Sequence, residues 1–185
     1  MEIKELIQNG LENVKRGVDR TLDSLTPAEL KWQPRPDANC IGLILFHMIR
    51  AEDSSIHSRL QGKSQSWESE KWYQKLNKAI TDDGAHYTPE QVAGFVVPDL
   101  KDLMAYAEAV RKQTLEYLKG LKPEDFGKKV NLPPPSVPRN VPAGRPAPPR
   151  MSPVVGSMLL MLVTHLSQHA GEISYLRGLQ RGLDK

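Results

Sequence analysis

Apolar residues recur three and four positions apart in several long stretches of this chain, and no stretch alternates apolar with polar residues for long enough to form a convincing strand. The clearest case is residues 2–25, where the pattern is that of an amphipathic helix. Similar patterns predict helices at residues 39–60, 88–120 and 154–179. The sequence therefore predicts an all-α protein with four long helices joined by long connections.

Local signals define where several of these helices begin and end. Thr26 and Thr88 each start a Thr-Pro-x-Glu/Gln capping box, which predicts a short helical turn after Thr26 and the start of the third long helix at Thr88. Asp37 or Asn39 is predicted to cap the second long helix, and Pro98 to break or kink the third. The polar and aromatic stretch 61–87 is predicted to form a lid or a short helix around Trp67, Trp72 and Tyr73.

Length and composition restrict the number of domains and the class of protein. With 185 residues the chain is expected to form a single domain over residues 1–185. Ten of its fifteen prolines lie between residues 123 and 153, so residues 123–151 are predicted to be an extended proline-rich connection within that domain. The net charge of +3 comes from well-mixed charges and does not indicate nucleic-acid binding.

Two features bear on the cellular compartment. A single cysteine and a charged N-terminal segment favour a cytoplasmic protein with no internal disulfide. Residues 151–171 carry no Asp, Glu, Lys or Arg and are long enough to cross a bilayer, but they include a proline, two histidines and several hydroxyl groups. A buried bundle helix is therefore the favoured interpretation over a membrane span.

Three histidines form the candidate functional site. His165 and His169 are four residues apart on the last helix, so their imidazoles lie on one face and can bind the same ion. His47 lies on an apolar helix far upstream and can supply a third nitrogen if the two helices are neighbours. Zinc, nickel, manganese and iron(II) all accept imidazole ligands. On spacing alone, however, His47 could equally be a histidine of the core.

The remaining histidines and the nearby acidic residues have other predicted roles. His57 is expected to face solvent near a helix end, His86 to lie in a polar loop, and Asp53 to be structural. Glu172 shares the face of His165 and His169. It could be a fourth ligand, an acceptor for a ligand N–H, a general base and thus catalytic, or an ion-pair partner of Arg177 or another surface base.

These segments resemble the DinB-like superfamily of metal-binding four-helix bundles, which includes YfiT-type proteins and thiol S-transferases. The similarity lies in residues 39–47 (NCIGLILFH) followed by Glu52, in residues 165–173 (HLSQHAGEI) continuing into YLRG at 175–178, and in WQPRP at 32–36. The resemblance implies an up-down-down-up bundle, a homodimer in many members, and a divalent metal at His47, His165 and His169. The long proline-rich connection departs from the family pattern.

The resemblance also implies a choice of functions. In the first, a divalent metal, with zinc or nickel favoured over manganese or iron, activates water or a low-molecular-weight thiol for attack on a small-molecule substrate. The protein would then be a hydrolase or a thiol S-transferase. In the second, the bundle binds metal or a ligand without turnover, because fold does not determine function. A plain structural bundle with core histidines is the third possibility.

Overall fold

Four long helices supply the core in a computed structural model that describes residues 2–131 and 153–181. They are α1 (Ile3–Leu22), α3 (Ile41–Asp53), α7 (Leu100–Gly120) and α8 (Val155–Arg181). Helix α8 packs against α1 and α3, and α3 also packs against α7. The all-helical prediction is confirmed for the described residues, where β-structure is limited to one isolated bridge between Lys129 and Val154. The up-down-down-up order remains a prediction.

Short elements connect the long helices. They are α2 (Pro27–Lys31), a π-helix (Ser54–Leu60) that continues α3, α4 (Ser66–Ser69), α5 (Trp72–Lys75), α6 (Pro89–Ala93) and a 3-10 helix (Pro123–Gly127). Both predicted capping boxes are present, with the hydroxyls of Thr26 and Thr88 accepting backbone N–H groups at the start of α2 and α6. Helices α6 and α7 are separate, and Pro98 lies in the break between them.

Helix α3 is the central helix of the molecule. Eleven of its thirteen residues are buried, which explains why its sequence is apolar on nearly every side. Its predicted cap was wrong, because the N-cap is Cys40, whose sulfur lies 3.4 Å from the backbone nitrogen of Leu43. Asp37 instead pairs with Arg35. The cap position, occupied by Cys40, is buried and therefore favours a weakly polar thiol over a carboxylate.

Three charged residues near the C-terminal end of α3 are buried, namely Arg50, Glu52 and Asp53. Asp53 is fully buried and accepts hydrogen bonds from the backbone nitrogens of Ser66 and Trp67 and from the hydroxyl of Tyr106. Arg50 lies 3.5 Å from the same carboxylate. These bonds hold α4 against α3, and the structural role expected for Asp53 agrees with them.

His57 is buried, and the prediction that it faces solvent was wrong. Its side chain is 5% exposed, with Nδ1 2.7 Å from the carboxylate of Asp53 and Nε2 2.6 Å from the amide oxygen of Gln113. His57 follows Asp53 by four residues, so it lies on the same side of the helix as that buried carboxylate. This side is covered by Ser66 of α4 and Gln113 of α7.

The segment before α8 is described only at its two ends. Residues 123–127 form the 3-10 helix with Phe126 buried, and Val130 and Val155 donate backbone hydrogen bonds to Pro153 and Lys128. The two ends of the proline-rich connection therefore lie side by side. Most of the predicted connection, residues 132–151, lies outside the described residues, and the single-domain prediction stays a prediction. Among the described residues, no helix has the length and apolar character needed to cross a membrane.

Candidate metal centre

The three predicted histidines lie together between α3 and α8. One ring nitrogen from each of His47, His165 and His169 lies within 4.8 Å of the other two. The Nε2 atoms of His47 and His165 are 3.1 Å apart. All three side chains are partly buried, so the cluster lies at the edge of the core, next to solvent.

Hydrogen bonds at the far side of two rings determine which nitrogen faces the cluster. The Nδ1 atom of His47 lies 2.8 Å from the carbonyl oxygen of Gly84, and Nδ1 of His169 lies 2.8 Å from a carboxylate oxygen of Glu172. A carbonyl and a carboxylate can only accept, so each Nδ1 carries a proton, and the neutral form of either ring has its free lone pair on Nε2. Such a bond orients a metal-binding histidine and makes it a better ligand.

The chemistry of these donors fits a divalent ion. Two nitrogens that bind one ion at about 2.1 Å are roughly 3.0 to 3.4 Å apart, depending on the angle between the bonds, and the separation of 3.1 Å falls in that range. Burial, above all, lowers the pKa of His47. Burial also lowers the pKa of His165, followed by the charges of His169, His47 and Arg59. These two rings are thus neutral at pH 7, the form that binds metal.

Glu172 contacts a candidate ligand directly. Its carboxylate accepts from His169, which is one of the roles its spacing allowed. The alternative ion pair with Arg177 is wrong, because the guanidinium of Arg177 lies 3.1 Å from Glu29 instead. Whether Glu172 is also catalytic stays a proposal.

Gly84 is the site residue that sequence reasoning missed. It adopts a φ of +73°, and a Cβ atom there would lie 3.1 Å from Arg50 and 3.3 Å from the backbone of His47. Only glycine fits this turn easily, and the turn directs the Gly84 carbonyl at His47. The sequence Asp82-Asp83-Gly84 is typical of a turn, and the backbone nitrogen of Gly84 donates to Asp82. Nothing in these three residues indicates that the carbonyl of Gly84 contacts His47, 37 residues upstream.

A cavity of about 620 Å³ opens beside the histidine cluster. His47 and His165 form part of its wall, together with residues from α3, the π-helix and the loop at 83–86. Helix α8 adds an apolar side with Met158, Met161 and Leu162. The volume suits a small molecule placed directly against the candidate ligands. His86 lines this cavity and does not belong to the histidine cluster.

A comparison with known protein families identifies the family of this chain. The family model of the DinB superfamily matches residues 11–173, which is most of the chain. The chain belongs to the DinB superfamily.

A comparison with solved structures adds the fold of a relative. A crystal structure of the conserved protein of locus from Enterococcus faecalis is similar to this DinB protein, with a TM-score of 0.76 and 24% sequence identity over 97% of each chain. At that identity the similarity supports the fold alone. No curated protein showed a significant match.

Removing the carboxylate of Glu172 tests its contact with His169. We expect Glu172→Ala to weaken metal binding by about 10- to 100-fold, because His169 loses the acceptor that orients it. Titration of the metal-free protein with zinc in competition with a chromophoric chelator measures this change. Ser174→Ala, an exposed change two residues away on α8, is the control and should bind zinc normally. Equal affinities of the two variants would exclude an orienting role for Glu172.

Proposed function

We propose that this DinB protein is a metal-dependent enzyme in which His47, His165 and His169 hold one divalent ion. The observation that supports this proposal is the convergence of three imidazole nitrogens, one from each histidine, beside a cavity. Zinc or nickel are the ions we favour, because imidazole binds both well. When bound, such an ion acts as a Lewis acid and lowers the pKa of a water or thiol that it binds.

The protein residues supply position and selectivity. Gly84 and Glu172 orient two of the three imidazoles, and the packing of α3 against α8 sets the distance between the ligands. Three protein ligands leave at least one coordination position open, which is typical of catalytic sites; structural zinc sites are closed by four. The open position would face the cavity, so we propose a hydrolase or thiol S-transferase acting on a small molecule. We also propose, from family resemblance, that the protein is a cytoplasmic homodimer.

Metal removal gives a test that needs no substrate. An ion that binds only the folded protein adds about 4 kcal/mol of stability when its free concentration is a thousand times Kd. We therefore expect chelation to lower the melting temperature by roughly 10 °C while helicity at low temperature is retained, since the buried apolar faces remain. Circular dichroism of the chelated, zinc-restored and untreated protein measures both quantities. An unchanged melting temperature after chelation and after zinc addition would contradict metal binding.

The role of Glu172 in turnover is tested by the near-isosteric change Glu172→Gln. If the carboxylate takes up a proton during the reaction, this variant should keep the fold and most of its metal but lose about 100- to 10,000-fold in activity. Screening zinc- and nickel-loaded protein against esters, amides and thiol acceptors would first identify a reaction. Activity that falls only in proportion to metal content would assign Glu172 to orientation of His169 alone.

A further inference from the structure

One arginine in the wall of the histidine cavity is placed there by the π-helix. Arg59 follows His47 by twelve residues, and α-helical rotation of 100° per residue would leave it about 120° away from that face. In a π-helix the hydrogen bonds join residues five apart, so Ser54 and Arg59 fall on nearly the same side. Ser54, Arg59 and His47 all line the cavity. Short π-helical segments are frequent at functional sites.

The guanidinium of Arg59 is available to a ligand. Within residues 2–131 and 153–181, no hydrogen bond or ion pair is formed by its side chain, which is exposed. Arg50, on the same wall, is different: its guanidinium donates to the carbonyl of Asp82, to Gln65 and to Tyr106. Arg50 is therefore part of the buried hydrogen-bond network, and Arg59 is the cavity-lining arginine whose donors are unused among the described residues.

The rest of the wall limits the kind of ligand. Asp83 places a negative charge on the loop side of the cavity, with its carboxylate accepting from the backbone of Ala85. One unpaired guanidinium in a wall that also holds this carboxylate suits a ligand with one negative charge better than a dianionic phosphate. The apolar residues Met158, Met161 and Leu162 of α8 can cover a short hydrocarbon segment.

We propose that Arg59 binds the carboxylate of a small monocarboxylic acid whose other end reaches the three histidines. This inference deepens the proposed function and rests on it, because it names the substrate class of the same cavity. The planar guanidinium donates two parallel N–H bonds to a carboxylate, a geometry that fixes the orientation of the ligand as well as its charge. Arg59 is thus a specificity-determining residue, and the π-helix is the element that positions it.

Paired thiol probes test the proposal. Zinc-loaded protein is titrated calorimetrically with ω-mercapto acids of three to six carbons and with the ω-mercapto alcohols of the same lengths. Binding of the thiol group tests the end of the cavity at the three histidines. The ratio of the affinity for the acid to the affinity for the alcohol measures how much the carboxylate contributes. Arg59→Gln is compared with Arg20→Gln, since Arg20 is an exposed arginine on α1 outside the cavity. Phosphate esters of the same alcohols are the dianionic comparison.

The outcomes separate this proposal from the metal assignment. We expect one chain length to show an acid preference of about 10-fold or more, which Arg59→Gln removes, Arg59→Lys reduces and Arg20→Gln retains. The same preference in Arg59→Gln, no preference in the wild type, or tighter binding of the phosphate ester would overturn the proposal while leaving the metal site intact. If the protein takes up no zinc, the metal assignment fails, and hexanoate against hexanol then tests Arg59 by the same ratio and the same variants.

Discussion

Replacing His165 with Ala is expected to weaken zinc binding by well over 100-fold. His165 contacts both other members of the proposed set, since its Nε2 lies 3.1 Å from that of His47 and its ring packs edge-on against His169. Loss of an outer acceptor alone typically costs 10- to 100-fold in metal affinity, so loss of a ligand should cost more. Competition titration with a chromophoric chelator measures the affinity.

The matched control for this change is His86→Ala. His86 lines the same cavity, but its ring is not among the three that come together. We expect this variant to bind zinc as the wild type does, and His47→Ala and His169→Ala to behave like His165→Ala. A wild-type affinity in His165→Ala, or an equal loss in His86→Ala, would show that the ligands have been assigned incorrectly.

Replacing Asp53 with Ala is expected to lower the free energy of unfolding by about 3 to 5 kcal/mol. The change leaves the guanidinium of Arg50 buried without its carboxylate and removes the acceptor of three hydrogen bonds, from Ser66, Trp67 and Tyr106. In a chain of this length the melting temperature should fall by roughly 10 °C. Urea denaturation followed by circular dichroism measures the free energy.

A surface carboxylate gives the comparison for this prediction. Asp19 pairs with Lys15 on α1, and both side chains are about 40% exposed. Asp19→Ala should therefore cost less than about 1 kcal/mol. A similarly small cost in Asp53→Ala would show that the buried polar cluster at the end of α3 does not stabilise the fold.

The long helices and the histidine cluster were predictable because both depend on regular spacing. Residues three and four apart share a helix face whatever the rest of the chain does, so the core face of α1 and the pairing of His165 with His169 followed from the sequence. Helix α3 is buried on nearly every side and packs against α8. This packing brings His47 beside the other two histidines, as the prediction of neighbouring helices required.

Features that depend on tertiary contacts or irregular backbone were not predictable in this way. The cavity-lining position of Arg59 results from a π-helix, which no local propensity indicated. The burial of His57 results from its contacts with Asp53 and Gln113. Cys40 became the helix cap because its position is buried, and Gly84 reached His47 through a loop. In each case the partner lies far away in the sequence or the rotation per residue departs from 100°.

Elemental analysis of the purified protein is the most direct test of metal binding at the three histidines. The protein is purified without an affinity tag, because a histidine tag would itself bind metal. We expect about one divalent ion per chain in the wild type after dialysis, and a large loss of that ion in His165→Ala purified in the same way. No bound metal in the wild type after incubation with zinc and with nickel, or an equal metal content in the two proteins, would contradict it.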